Sequence, residues 1–317
     1  MARMNILSSL EREAFDAPPL FTSFERKRFF DFPLGIQVLA EEMRSPTNRV
    51  FFLVSYGYFK ATRKLFSGQF HGRDIAYVSL KLGIEPHQLV HGTYPKQTYL
   101  RHHSLILDFF GFSAFAEAAR AAIRLEIADM VKAQLKPRLI FSRAVERLIQ
   151  EKIALPSYSA LSKLILQVLN QHKKYLIGVI GAQLSPEVRV LLDRLLEKVT
   201  TDDDESINRY RLTLLKKCSQ STRPGKIKES VADFEVLQTL YQAVQPSLEV
   251  LGLPLDAIRY YANSVIRAEI FQVSRRSAED RYLHLIAFIA HHYFRLQDSL
   301  VDIYVLAMQS SVNTAHR

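Results

Sequence analysis

The chain has 317 residues, 42 Lys+Arg against 32 Asp+Glu for a formal charge of +10, one cysteine, no tryptophan and only 11 glycines. That length holds two or more folded units, and 48% apolar residues are enough to bury a core. Glycine at about half its usual usage points to helix, and neither G-x-G-x-x-G nor G-x-x-x-x-G-K-[ST] occurs, which argues against a Rossmann dehydrogenase or a P-loop ATPase.

Helix starts are written at Ser8-Ser9-Leu10-Glu11 and at Thr22-Ser23-Phe24-Glu25, where a hydroxyl and a carboxylate three residues on can satisfy free N–H groups. No secretory signal is expected here, because the apolar stretch Ile6 to Leu10 is cut off by Glu11-Arg12-Glu13. A break at Ser45-Pro46-Thr47 opens the next helical stretch, which ends in the cations Lys60, Arg63 and Lys64.

Ile75 to His91 carries a first helix-turn-helix pattern. One helix is predicted to end at Leu82-Gly83 and a second to begin at Glu85-Pro86. Val78, Leu82, Ile84 and Leu89 fall at apolar positions, Ser79 is small where helices approach, and Gly83 allows a positive φ. Gly92 occupies a slot that should be apolar, so the match is partial. On this reading His87, Gln88 and His91 lie on a recognition helix; the same pattern also fits a structural helical corner. After a break at His91 to Pro95 come Lys96 and Arg101, interleaved with Tyr94 and Tyr99, which either stack on DNA or belong to the core. His102 and His103 point their rings in different directions and make no ligand pair.

A second pattern follows the break at Lys136-Pro137 and the cations Arg138 and Arg143. A helix over Ala144 to Lys152 meets the turn Ile153-Ala154-Leu155, and Pro156-Ser157-Tyr158-Ser159 opens the next helix. Residues at the start of a recognition helix meet base edges, and its free N–H groups favour phosphate. Ser157, Tyr158 and Ser159 fit both tasks, with Lys163 one turn on; one of the two serines also fits as a plain N-cap. Lys173 and Lys174 are expected to grip phosphates, and Tyr158 and Gln88 to discriminate between sequences.

Further on, Ser185-Pro186-Glu187 caps a helix with the stripe Val188, Leu191, Leu192, Leu195, Leu196 and Val199. Thr200 to Glu205 and Ser219 to Gly225 read as loops around a helix from Ile207 to Lys217, and Cys218 has no partner for an internal disulfide. Helix starts are predicted at Ser230 to Asp233 and Ser277 to Asp280, with a break at Gly252-Leu253-Pro254 between them. The last helix, Arg281 to Gln309, carries an apolar stripe of Leu285, Phe288, Ile289, Leu296, Leu300 and Ile303 with His292 among them. His284, His291, Arg295, Asp298 and Asp302 cluster on a polar face, where an Arg295–Asp298 ion pair is a better fit than a metal site. No nucleophile, base and acid arrangement stands out. The longest apolar runs, Tyr175 to Ala182 and Leu285 to Ala290, fall well short of the roughly 20 residues a membrane span needs.

The charge is unevenly placed. Residues 1–50 carry 7 cations against 7 acids and residues 201–317 carry 14 against 14, so the whole excess lies in residues 51–200, 21 − 11 = 10. That distribution suits a polyanion-binding surface, or a solvated basic face on an ordinary helical domain.

Asn48 to Phe66, NRVFFLVSYGYFKATRKLF, followed by DIAYVSLKLG at Asp74 to Gly83, resembles the N-terminal DNA-binding region of the replicative transposases of the Tn-three family. LPSYSALSKLI at Leu155 to Ile165, YYANSVIRAEIFQ at Tyr260 to Gln272 and RYLHLIAFIAHHYFRLQDSLVD at Arg281 to Asp302 continue the resemblance in order. It implies a bacterial mobile-element protein whose helical domains bind double-stranded DNA at the terminal inverted repeats of a transposon. In such proteins a distant RNase H-like domain carries three metal-binding carboxylates; that domain is expected beyond Arg317, so this chain is expected to be non-catalytic and to need no cofactor, the divalent metal belonging to the missing domain.

The expected architecture is therefore all-α. Residues 1–93 would form a first helical DNA-binding domain, 94–175 a second of helix-turn-helix type, and 176–317 a helical linker or scaffold. The expected setting is the bacterial cytoplasm, associated with the nucleoid and not with a membrane, with a homodimer possible in the full-length protein. A helical interaction or dimerisation scaffold without specific DNA binding is the alternative.

Overall fold

The computed structural model describes residues 5–68, 70–89, 94–199, 209–216 and 224–315. Among them the chain forms fifteen α-helices and one two-residue antiparallel ladder, so the fold is all-α as expected. Two compact units divide it, Met1–Leu169 and Asn170–Arg317.

In the first unit the helices are α1 (Ser9–Asp16), α2 (Ser23–Phe29), α3 (Leu34–Glu41), α4 (Pro46–Thr62), α5 (Gly72–Lys81), α6 (Lys96–Phe110), α7 (Glu117–Lys132), α8 (Pro137–Gln150) and α9 (Tyr158–Gln183), the last shared with the second unit. Both predicted capping boxes form: Ser8 Oγ accepts from Glu11 N and Thr22 Oγ1 from Glu25 N, while each glutamate accepts from the cap's own N–H. Ser45 caps α4, with Pro46 in its first turn.

Two cores lie in this unit. The first is centred on α4, whose residues 52–59 are all buried; a helix apolar on every face must be enclosed by its neighbours. Phe21, Phe30, Phe32, Ile36, Val78, Ile106 and Leu107 enclose it. Gly57 makes the closest approach possible, since a Cβ there would stand 2.3 Å from the Phe30 ring. At the polar centre of this core is Asp74, fully buried, which accepts from Tyr58 Oη at 2.7 Å and from Arg26 Nε at 2.6 Å.

The second core joins α7, α8 and the start of α9 through Ile123, Ile127, Ile140, Phe141, Leu148, Leu161, Ile165 and Val168. Ile6 lies in it too, and the Phe15 ring meets Phe141 edge-on at 5.2 Å, so the first helix in sequence packs with the last ones of the unit. The two cores therefore do not follow chain order. The first core runs past Tyr94 to take in α6, and α1 belongs to the second, because the apolar faces pair across sequence rather than in order.

The second unit holds the rest of α9, then α10 (Pro186–Arg194), the ladder Lys198–Val199 with Arg209–Tyr210, α11 (Arg211–Leu215), α12 (Pro224–Leu251), α13 (Leu255–Ile266), α14 (Ile270–Ser274) and α15 (Ala278–Ala315). Ser185 caps α10 as predicted, its Oγ accepting from Val188 N. Residues 282–290 of α15 are buried on every side, and α12 and α13 pack against this helix.

Four sequence expectations change in this unit. The helix predicted from Ile207 is described only from Arg211, because Arg209 and Tyr210 pair with Val199 and Lys198. Ser230 is no cap: it is buried inside α12. The last helix is longer at both ends than Arg281 to Gln309. Its polar face is narrower, since His284 is buried with Nδ1 2.6 Å from the Asp280 carbonyl, and Arg295 and Asp298 make no ion pair among the described residues. The acidic run at 202–205 and Cys218 lie outside the described residues.

Burial pulls three histidines down to about 4: His102 in the first unit, His284 and His292 in the second. Each is neutral when folded but takes a proton near its ordinary pKa of about 6.5 when unfolded. Their contribution is complete above pH 6.5 and is lost as pH falls toward 4. The apparent melting temperature should drop progressively across that window, and His102→Phe should flatten the drop for the first unit; an unchanged profile would mean that His102 titrates freely.

Candidate nucleic-acid interface

Helices α8 and α9, joined by residues 151–157, pack with α7 around the second core. α8 ends with Lys152 in the left-handed region at φ 54°, where Ile153 N donates to Leu148 O and Lys152 N to Ile149 O. This is the paired hydrogen-bond pattern that closes a helix and turns the chain. The turn is stitched to its surroundings by Ser113 N to Lys152 O, Ala154 N to Ser113 O and Leu155 N to Arg63 O, all within 2.9 Å.

α9 then begins with two caps. Ser157 Oγ accepts from Ala160 N at 3.3 Å, and Asp16 Oδ1 accepts from Tyr158 N at 2.9 Å. Tyr158, Leu161, Leu164, Ile165 and Val168 face the core, which leaves Ser159, Lys163 and Gln167 exposed four residues apart on the opposite face. Gln167 Oε1 accepts from Arg124 Nη2 of α7 at 3.4 Å. Arg143 of α8 and Lys163 are exposed and in no ion pair among the described residues.

The chemistry of this face is that of a polar helix start carrying hydroxyl, amide and ammonium groups, flanked by guanidinium groups. Such groups donate to phosphates and to base edges in a major groove.

A domain of unknown function, DUF4158, matches residues 6–168. The chain belongs to that family. No curated protein matches the chain. The DUF4158 segment covers both cores of the first unit and the exposed start of α9.

Within that segment the predicted contact residues separate by environment. Ser157 is an N-cap, and Tyr158 is buried with its hydroxyl on Leu7 N and its ring on Phe141, so Tyr158 supports the bundle and has no free edge for a base. Lys64 is buried against Asp16 and the Phe15 carbonyl. Lys60 donates to the carbonyls of Arg28 and Asp31 at the end of α2. Arg63 donates to Phe59 and Lys60 carbonyls and lies over the Phe110 and Phe112 rings. Arg138 is exposed but paired with Glu11.

The first helix-turn-helix pattern is only half formed. α5 ends and Gly83 turns at φ 68° as predicted, but Pro86–Gln88 make a single 3-10 turn instead of a recognition helix. His87 and Gln88 are exposed there, with Gln88 Oε1 accepting from Glu85 N; His91 lies outside the described residues. The helical pattern resumes at α6, where Lys96 and Arg101 are exposed and Tyr94 sits among the rings of Phe51, Phe70 and His102.

In the second unit Lys173 is committed to Asp280 at 2.8 Å, while Lys174 is exposed. Three contributors escaped the sequence reading: Asp16, Arg124 and Gln167. Gln167 was within reach, because a count of four from Ser159 through Lys163 arrives at it. Among the described residues no group of three or more His, Cys, Asp or Glu is placed to hold a metal, and no single helix is long and apolar enough to cross a membrane.

Proposed function

We propose that this chain is the DNA-reading part of a transposase of the Tn-three family, and that it binds double-stranded DNA at transposon terminal inverted repeats through the start of α9. The observation that carries the reading is the exposed strip Ser159, Lys163, Gln167 at the start of α9, opposite the core-facing Tyr158, Leu161, Leu164, Ile165 and Val168. A helix so presented enters a major groove with its first turns against the bases. Arg143 and Arg124 flank it for phosphates. The resemblance at Leu155 to Ile165 falls on this same segment, and the charge excess of residues 51–200 supplies non-specific attraction. We assign no catalytic residue and no cofactor to these residues.

Salt tests the electrostatic half of the proposal. With about six to ten phosphates neutralised, affinity for duplex should fall roughly 10³- to 10⁵-fold between 50 and 200 mM salt. A salt-independent affinity, or none, would overturn it.

A second reading, a helical interaction or dimerisation scaffold, is supported in the other unit. Val301, Tyr304, Val305 and Met308 of α15 are exposed at spacings of three and four, an apolar stripe with the geometry of a helix-packing face.

A further inference from the structure

The start of α9 is held by a residue far from it in sequence. Asp16, the last residue of α1, accepts from the backbone N–H of Tyr158, the first residue of α9, at 2.9 Å. The same oxygen takes the ammonium of Lys64, at the end of α4. Ser157 already satisfies Ala160 N–H, so Asp16 supplies the acceptor for a different first-turn donor. Lys64 in turn is buried, donates to the Phe15 carbonyl at 2.9 Å and stands 4.3 Å over the Phe15 ring. An ammonium enclosed this far needs a paired charge, which ties the Asp16 carboxylate to one place.

α1 is itself fastened to the same bundle. Phe15 meets Phe141, Arg12 lies over the Tyr158 ring, Glu11 pairs with Arg138, and Leu7 N donates to Tyr158 Oη. Three segments separated by 48 and 142 residues from Asp16 or joined to it thus converge on one carboxylate oxygen.

We propose that Asp16 is a positioning residue for the reading helix: by capping α9 and anchoring on Lys64 it sets where Ser159 and Lys163 meet DNA, without itself contacting DNA. The inference rests on the DNA-reading assignment of α9. Its electrical sign separates it from a simple charge effect. Removing an acid from a DNA-binding protein raises affinity for every duplex, because it lessens repulsion of phosphate. Removing a positioning acid lowers affinity for the correct duplex alone.

The test uses the whole chain in a Lys64→Met background, so that no buried ammonium is stranded. Asp16→Asn retains an oxygen acceptor for Tyr158 N–H; Asp16→Ala does not, and the two have the same charge. Loss of a helix cap should lower preference for a terminal-repeat duplex over a scrambled one by up to about tenfold in Asp16→Ala, with scrambled-duplex affinity equal in the two variants and with preference kept in Asp16→Asn. Equal discrimination by the two variants would overturn the proposal. Amide exchange without DNA provides a second readout: protection of residues 158–161 should fall in Asp16→Ala and persist in Asp16→Asn, while overall helicity by circular dichroism stays the same. Equal protection would also overturn it. If the wild-type chain shows no preference between duplexes, the DNA-reading assignment fails, and the exchange result alone decides whether Asp16 positions α9.

Discussion

Asp74→Ala should destabilise the first unit by about 3–5 kcal/mol, the range for removing one partner of a buried ion pair. The carboxylate is fully buried and serves two donors, Arg26 Nε and Tyr58 Oη. Burial pushes the Tyr58 phenol up, so it remains a donor, and its oxygen in turn accepts from His71 N at 3.1 Å. Alanine would leave a guanidinium only 16% exposed with no countercharge and a buried hydroxyl with no acceptor. The damage would reach α2, α4 and α5 together, because Arg26, Tyr58 and Asp74 come one from each. Denaturant unfolding of wild type and variant measures this directly. A loss below about 1 kcal/mol would mean that water or a neighbour replaces the carboxylate.

The second large effect concerns binding. Arg143→Glu combined with Lys163→Glu should weaken duplex binding by roughly 100-fold at moderate salt, about tenfold for each lost and reversed phosphate contact. The slope of log affinity against log salt should become shallower by about 1.8, since each phosphate contributes about 0.9. Both side chains are exposed and outside any ion pair among the described residues, so the reversal should leave the melting temperature close to wild type. Lys173→Met provides the contrast. Lys173 is spent on Asp280, so its loss should alter stability more than DNA affinity. A double reversal that binds as well as wild type would move the interface away from α8 and α9.

The all-α class, the capping boxes at Ser8 and Thr22, the turn at Gly83 and the opening of α9 at Ser157 were legible in the sequence, because each depends on residues within four positions of one another. Pairing between distant segments was not. Lys60, Arg63 and Lys64 look like a basic cluster in one dimension; the fold spends them on the carbonyls of α2, on the end of α4 itself and on Asp16. Tyr158 sits one position from two exposed serines, and only the side of α9 that meets Phe141 and Leu7 decides that it is buried. Gln88 shows the opposite failure. Local signals allowed a helix at Glu85-Pro86, yet the described residues Pro86–Gln88 form a 3-10 turn.

The cores of the first unit also join segments out of chain order. Chain order suggested a first domain up to Thr93, but Ile6, ahead of α1, and Phe15 of α1 pack into the bundle of α7, α8 and α9, and α6 closes the core around α4. A boundary drawn at breaks in the chain records where helices stop, which is different from where cores divide.

The most direct measurement is amide hydrogen exchange of the whole chain with and without a terminal-repeat duplex. DNA binding through the start of α9 should add protection over residues 157–167, with smaller protection around Arg143 and Arg124 and little change at Pro86–Gln88. Protection confined to other segments, with residues 157–167 exchanging as fast bound as free, would contradict it.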